Sequence, residues 1–302
     1  MTERRVVGKR ISYWMLRNVV RTVDVLARIL PLSWLRAIAT GLAYLTYLLC
    51  PSRQRLAREN IRKVFGDQFS AAQRRSIVLQ STINICKTMI ELLKMRYMTP
   101  EQVKALVSLE GAEHLHQALA EGRGAVVFTA HFGNWELGGA RFAAEGFPVT
   151  VLARDSNEPV CARLINQARR HHNIEVLGRE DVRAMLRILR DNRGLGILPD
   201  QHAAGRGLKL DFLGRRAATA AGPAVLALHT GCALVPFFTR RLPDGSFDSQ
   251  ILPPLPLPQT DDRDQFIRQL TQQINDAMSE QIRRYPEQWL WLHDRWKTDK
   301  DD

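Results

Sequence analysis

Residues 124–142 read GAVVFTAHFGNWELGGARF. The first seven, Gly124 to Ala130, form an unbroken run of small and apolar side chains, short for a helix and suited to a strand buried on both faces. His131 closes the run; Gly133 makes a turn and Asn134 opens a helix that carries Trp135 and Glu136. In an α/β sheet, reactive groups collect where strands end and loops begin. An imidazole at such a place takes a proton from a hydroxyl near neutral pH, provided a partner on its other ring nitrogen holds the tautomer and stabilises the imidazolium. Glu136, on the first turn of a helix whose N-terminus favours the ionised carboxylate, is placed to fold back as that partner.

The flanking sequence repeats the same grammar. Strand-like runs at 148–153, 174–177 and 195–200 alternate with helical patterns over 159–172 and 181–192. Further on, 222–231 is helical, 233–241 is a strand, 247–257 is a strand running into a proline-rich turn, and 262–286 is a long amphipathic helix. Such alternation implies an α/β fold with a mostly parallel central sheet flanked by helices. Before it, a short strand around Ser108–Gly111 and a helix from about 112 to 121 follow a purely helical stretch over 53–98. A change of character near residue 100 marks the single candidate boundary. The division expected is a basic, apolar N-terminal membrane-anchoring segment over 1–52 and an α/β domain over 53–302, with a helical lead-in to about residue 100.

The chain has 302 residues, 45% of them hydrophobic, enough for a substantial core. Its net charge of +12 is concentrated at one end: residues 1–63 hold thirteen Arg and Lys against three acids. Between those charges lies SYWMLRNVVRTVDVLARILPLSWLRAIATGLAYLTYLLCP (12–51), rich in Leu, Ile, Trp and Tyr. That mixture suits a helix lying on an anionic membrane surface and not a nucleic-acid arm. The uncharged run from Ala37 to Ser52 has 16 residues, short of the roughly 20 that cross a hydrocarbon core. An interfacial anchor is therefore expected, with a single span, Arg36 snorkelling, as the alternative. Four scattered cysteines, with no C-x-x-C pair and no zinc-like spacing, suggest neither a disulfide framework nor a metal site.

No serine or cysteine stands in TAHFGNWE, and no G-x-S-x-G occurs in the chain. A histidine and a carboxylate without a nucleophile of their own point to a substrate that brings the hydroxyl, and to direct transfer onto it. The glycine-bearing segment HAAGRGLKLDFLG resembles a phosphate-cradling loop but lacks both the G-K-[ST] of a P-loop and a G-x-G-x-x-G, so no nucleotide cofactor is expected. Trp289, Trp291 and Trp296 read as core or membrane-interface residues, and His171, His172 and His202 as structural or surface ones.

AHFGNWE resembles the H-x-x-x-x-D/E signature of the membrane acyltransferase superfamily that includes the glycerol-phosphate acyltransferases, in the form used by its bacterial lipid A late-acyltransferase branch. ARENIRKVFGD (57–67), GILPDQHAAGRGLKLDFLGRRAATAAGPAVLALHTGCALVPFF (196–238) and YPEQWLWLHDRWK (285–297) are similar to segments of that branch in the same order. The resemblance implies a glycerol-phosphate-acyltransferase-like fold and transfer of a fatty acyl chain to a hydroxyl of a lipid A precursor, at the cytoplasmic face of a bacterial inner membrane. The donor implied is acyl carrier protein, or acyl-CoA, with no cofactor. It makes His131 the general base, Glu136 its orienting partner, and Arg169, Arg154, Asp200, Gln201, Asn134 and Trp135 candidate substrate-binding residues, with Arg170 a rival to Arg169. Asp200 and Gln201, in LPDQ, are expected at a strand end opposite the motif. Attack on a thioester also needs a donor for the developing oxyanion, for which Arg169, Arg154 and the glycines of HAAGRG are candidates. The alternative is acyl-CoA-dependent transfer to another lipid or glycolipid, such as a phosphatidylinositol mannoside. A third reading, a membrane-surface binder that keeps the fold without chemistry, is disfavoured by the retention of both His131 and Glu136.

Overall fold

The run that opens the sequence becomes β2 (Ala125–Phe128), and all four of its side chains are buried. It lies between β8 (Ala233–Arg241) and β5 (Gly194–Ile197), parallel to both. The computed structural model describes residues 21–153, 159–203, 205 and 207–297. Among these, seven strands form one sheet in the order β1 (Val107–Glu110), β9 (Phe247–Ile251), β8, β2, β5, β3 (Val149–Ala153), β4 (Glu175–Gly178). Every neighbouring pair is parallel except β8 with β9. The expected mostly parallel α/β sheet is therefore present. The ladder at β2 is shorter than the apolar run: Thr129 still donates its amide to Ile197, and then the chain turns away.

The pleat divides the core in two. Val126 and Phe128 join Leu195, Ile197, Leu234 and Phe238 on one face, covered by α3 (Pro51–Phe65), α9 (Val182–Arg190), α10 (Gly222–Thr230) and α11 (Arg263–Arg284). Ala125 and Val127 join Val149, Val235 and Phe237 on the other, beneath α6 (Ala112–Ala120) and α7 (Trp135–Ala144). α8 (Pro159–His171) extends that second layer through Ala168, which packs with Leu137 and Ala140 of α7. Burial on both faces is why these strands are continuous apolar runs and not alternating ones.

The chain is helical over 21–29 (α1), and α2 (Leu32–Leu49) docks Leu35 and Ala39 on Ile90 of α4 (Ala71–Met95). Alanines at 39 and 43 and Leu35, four apart, let the two helices approach closely. α4 starts with a capping box at Ser70, and α5 (Pro100–Leu106) starts with another at Thr99. A two-stranded hairpin, β6 (Leu208–Phe212) and β7 (Arg215–Thr219), stands outside the main sheet. Its turn is built by Leu213 and Gly214, both at positive φ, the mirror-image geometry that two-residue hairpins favour.

Candidate active site

His131 sits where expected, past the end of β2, and the parallel neighbour β5 ends beside it. Its ring nitrogen Nδ1 lies 2.8 Å from Asp200 Oδ1, and its backbone amide donates to Oδ2 of the same carboxylate at 2.8 Å. The Trp289 indole N–H adds a third contact to Oδ2 at 2.9 Å. Asp200 is 2% exposed. Burial alone would raise its carboxyl; the His131 ring and amide and the Trp289 indole outweigh that and hold it down to about 2. An ionised Asp200 requires the Nδ1–H tautomer of His131 and leaves Nε2 as the open acceptor. Nε2 has the Gln201 amide nitrogen at 3.5 Å, and the ring stands edge-on to Trp135 with centroids 5.0 Å apart.

The carboxylate on His131 is therefore Asp200, not Glu136, which corrects the expected contact. Asp200, expected among the substrate-binding residues, stands against the His131 ring, and the end of β5 lies beside the motif and not opposite it. The cause is local. Asn134 caps α7 by accepting from the Leu137 amide at 2.9 Å, and that cap points Glu136 across to α8. There Arg169 grips it in a fork, Nε to Oε2 at 3.0 Å and Nη2 to Oε1 at 2.6 Å, with the Trp135 indole 3.1 Å from Oε1. Burial would push the Arg169 guanidinium down, but the Glu136 carboxylate outweighs it and holds it above its ordinary range. Asn134, expected to touch substrate, is fully buried as a cap and spacer. Arg154 lies outside the described residues.

A cavity of about 780 Å³ opens at His131. Its mouth carries His131, Trp135, Glu136, Arg169 and Arg170; its depth is apolar, reaching Val127, Phe142, Val149 and Phe237 between the sheet and the helices above it. Thr129 lines the wall, its hydroxyl buried without a protein partner. Neither serine nor cysteine is among the described residues that line the cavity.

What holds the His131 loop was not read from the sequence. One face of α4 carries Ser81, Asn84, Thr88 and Glu91, all buried and spaced three, four and three residues apart. Asn84 and Thr88 donate to the Gly133 carbonyl at 3.2 and 3.0 Å, and Ser81 donates to the Trp289 carbonyl. Glu91, with no exposure, accepts from Asn134 (2.7 Å), from Arg36 of α2 (2.5 Å) and from both terminal nitrogens of Arg241 at the end of β8 (2.6 and 2.8 Å). The signal was available: Ser81, Asn84, Thr88 and Glu91 recur at helical spacing along one stripe of the helix. The C-terminal segment clamps the same loop from the other side, Leu290 donating to the His131 carbonyl at 3.1 Å and Gly133 to the Gln288 carbonyl at 2.9 Å. Trp289, Trp291 and Trp296 are core residues, each at most 1% exposed.

A histidine–carboxylate pair thus stands at a strand end, open to a cavity whose described lining holds no serine or cysteine. The chain belongs to the bacterial lipid A biosynthesis acyltransferase family, whose sequence profile matches residues 5–298. It is 27% identical over 272 residues to the lipid A biosynthesis lauroyltransferase of Escherichia coli K12, covering 89% of this chain and 87% of that protein. The palmitoleoyltransferase of the same organism is 26% identical over equal shares. A phosphatidylinositol mannoside acyltransferase of Mycolicibacterium smegmatis is 30% identical over 195 residues, 63% of this chain and 62% of that one. The protein is an O-acyltransferase of lipid metabolism.

Proposed function

We propose that the enzyme transfers a fatty acyl chain from an acyl thioester, carried by acyl carrier protein, to a hydroxyl of a lipid A precursor at the cytoplasmic face of the inner membrane. The observation that carries the reading is the His131–Asp200 pair with Nε2 facing the cavity. His131 Nε2 takes the proton of the acceptor hydroxyl as its oxygen attacks the thioester carbonyl. The carbon–sulfur bond then breaks, and the imidazolium returns its proton to the leaving thiolate. Asp200, ionised throughout, holds the tautomer and stabilises the imidazolium. Arg169, fixed by Glu136 at the mouth, keeps Nη1 outside that fork for an oxyanion or an anionic substrate group. Gln201 and Trp135 border the reacting nitrogen.

Support for a membrane surface comes from α2. Its outer face exposes Trp34, Ile38, Leu42, Leu45, Leu48 and Leu49, while its inner face is docked on α4. A helix of 18 residues is long and apolar enough to cross a bilayer. Spanning would carry α4, with Lys87, Lys94 and its Glu91 ion cluster, into the hydrocarbon, so an interfacial α2 is the reading we adopt. On this reading the anchoring segment over 1–52 and the α/β domain over 53–302 are joined through the Arg36–Glu91 pair.

The mycobacterial relatives favour one further candidate, acyl-CoA-dependent transfer to a glycolipid of the phosphatidylinositol mannoside type. The test offers purified enzyme in detergent lauroyl-, myristoyl- and palmitoyl-acyl carrier protein, and the matching acyl-CoAs, with either a Kdo-lipid A precursor or phosphatidylinositol mannoside as acceptor. Product from carrier protein and lipid A precursor, absent with His131→Ala, is expected. Product from acyl-CoA and the mannoside alone would replace the first reading by the second, and full activity in the variant would remove His131 as base.

A further inference from the structure

The geometry points to a second hydrocarbon site beside the first, in which one of the acceptor lipid's own chains lies during transfer. This rests on the proposed reaction and names how that reaction's second substrate is held.

A separate cavity of about 290 Å³ lies on the opposite side of the sheet from the deep part of the first. Its walls are Val182 and Met185 of α9, Val225 and Leu226 of α10, and Pro199 at the end of β5. It joins the first cavity over the ends of β3 and β5, where Leu152, Ile197, Leu198 and Arg179 border both. The sheet thus divides two spaces, the smaller of them apolar, that meet at its C-terminal edge, the edge on which His131 and Asp200 sit.

Three observations indicate the occupant. The lining is apolar: of the side chains bordering the smaller cavity, Arg179 alone is charged, the rest being aliphatic, proline, alanine or glycine. A wall of that composition accepts hydrocarbon and rejects a sugar or a peptide backbone, whose polar groups would go unpaired. Next, Val182 at the mouth is 54% exposed, and outside α1 and α2 only it and Met89 are exposed large apolar residues among those described. Last, Arg179 is exposed, has no hydrogen bond or ion pair among the described residues, and stands on the rim shared by both cavities. A cation at the mouth of an apolar slot matches a lipid that carries an anionic headgroup above its chains.

Assignment to the acceptor follows from counting chains. A thioester donor brings one, and the larger cavity, which His131 lines together with the apolar side chains of Val127, Phe142, Val149 and Phe237, takes it. A lipid acceptor brings further chains that must leave water when its hydroxyl reaches His131. The smaller cavity opens onto the same edge and receives one of them.

Photolabelling of the full-length enzyme in detergent tests this without turnover. One arm uses a palmitoyl-CoA bearing a diazirine near its chain end, the other a lysophosphatidic acid with the same modified chain, a phosphate and a free hydroxyl. Labelled positions are read by peptide mass spectrometry. The thioester is expected to mark the first cavity, around Phe142 and Phe237, and the lipid to mark Met185, Val225 and Leu226. Val182→Trp, at an exposed position that folding tolerates, and Val225→Phe, within the slot, are expected to lower lipid labelling there at least about fivefold and to raise the KM for a lipid acceptor about tenfold. Lipid label confined to the first cavity, thioester label in the second, or lipid labelling undiminished in both variants would overturn the inference. Label in the smaller cavity from an enzyme that transfers no acyl group would leave this site standing and sink the proposed reaction instead.

Discussion

Asp200 and Glu136 are two carboxylates within reach of one loop, and their partners assign them different work. Asp200→Asn keeps the shape but removes the charge that sets the Nδ1–H tautomer, so kcat is expected to fall about a thousandfold or more, with little change in KM. Glu136→Gln loosens the Arg169 fork and leaves the His131–Asp200 pair intact, so a loss nearer tenfold is expected, expressed partly in KM. Steady-state kinetics of the two variants side by side decide the matter; equal losses would restore Glu136 as the orienting group. The Asp200 carboxyl, ordinarily 3.8 and here about 2, contributes stability that is complete above the ordinary aspartate range and is lost as pH falls through about 2. Glu91 is the other residue on which much depends. Glu91→Ala strands two half-buried guanidiniums and a capping asparagine, and a loss of roughly 3 kcal/mol is expected in denaturant unfolding, with Glu91→Gln milder. His131 was legible in the sequence because a histidine ending an apolar run is a local signal. Its partner was not, because Asp200 is 69 positions away and only the β2–β5 ladder brings the two together.

At the scale of elements, the strands and helices that a period of 2 or 3.6 can reveal were readable, and the departures have geometric causes. The β6–β7 hairpin escaped because its turn is Leu213–Gly214, with a non-glycine residue at φ 60°, and lacks the Asn-Gly pair that announces such turns. The turn after His131 was readable through Gly133, whose role is stricter than the sequence suggests: at φ 55°, a Cβ there would lie 1.8 Å from the Thr239 carbonyl oxygen. One helix further, Gly138 lets α7 settle on β8, since a Cβ would lie 2.1 Å from the Thr239 hydroxyl. Gly133→Ala is therefore expected to lose folded yield and not merely activity. The junction of α8 with α4 carries a pH dependence. His172, 4% exposed, donates from Nε2 to the Met95 carbonyl at 2.8 Å. Burial pushes its pKa down, with the neighbouring His171 adding to the shift and the Met95 bond opposing it. As pH falls below the ordinary histidine value the unfolded chain takes up a proton that the folded one refuses, so stability drops. Each such histidine adds a slope of at most about 1.4 kcal/mol per pH unit. Urea midpoints between pH 7 and pH 5 are expected to fall in the wild type and to fall less steeply in His172→Gln.

For the molecule as a whole, charge and hydrocarbon act at one end, and they can be separated by experiment. On the proposed membrane reading, the +12 net charge would draw the protein toward an anionic leaflet from a distance that salt shortens, whereas the exposed side of α2 would bind only on contact and be indifferent to salt. Substituting Leu42, Leu45 and Leu49 by glutamate alters α2 at positions between 51% and 70% exposed, outside the Leu35–Ala39 seam that packs on α4. Folding should be indifferent, and the melting temperature is expected to stay within about 2 °C of the wild type. Removing three aliphatic contacts of this size from a bilayer is worth several kcal/mol, so sedimentation with phosphatidylglycerol vesicles is expected to weaken at least about a hundredfold. Wild-type binding should fall with added salt to a floor set by α2, whereas the triple variant should fall to nothing. If the variant instead binds vesicles as the wild type does, α2 does not rest on the membrane, and the exposed apolar face must be covered by something else.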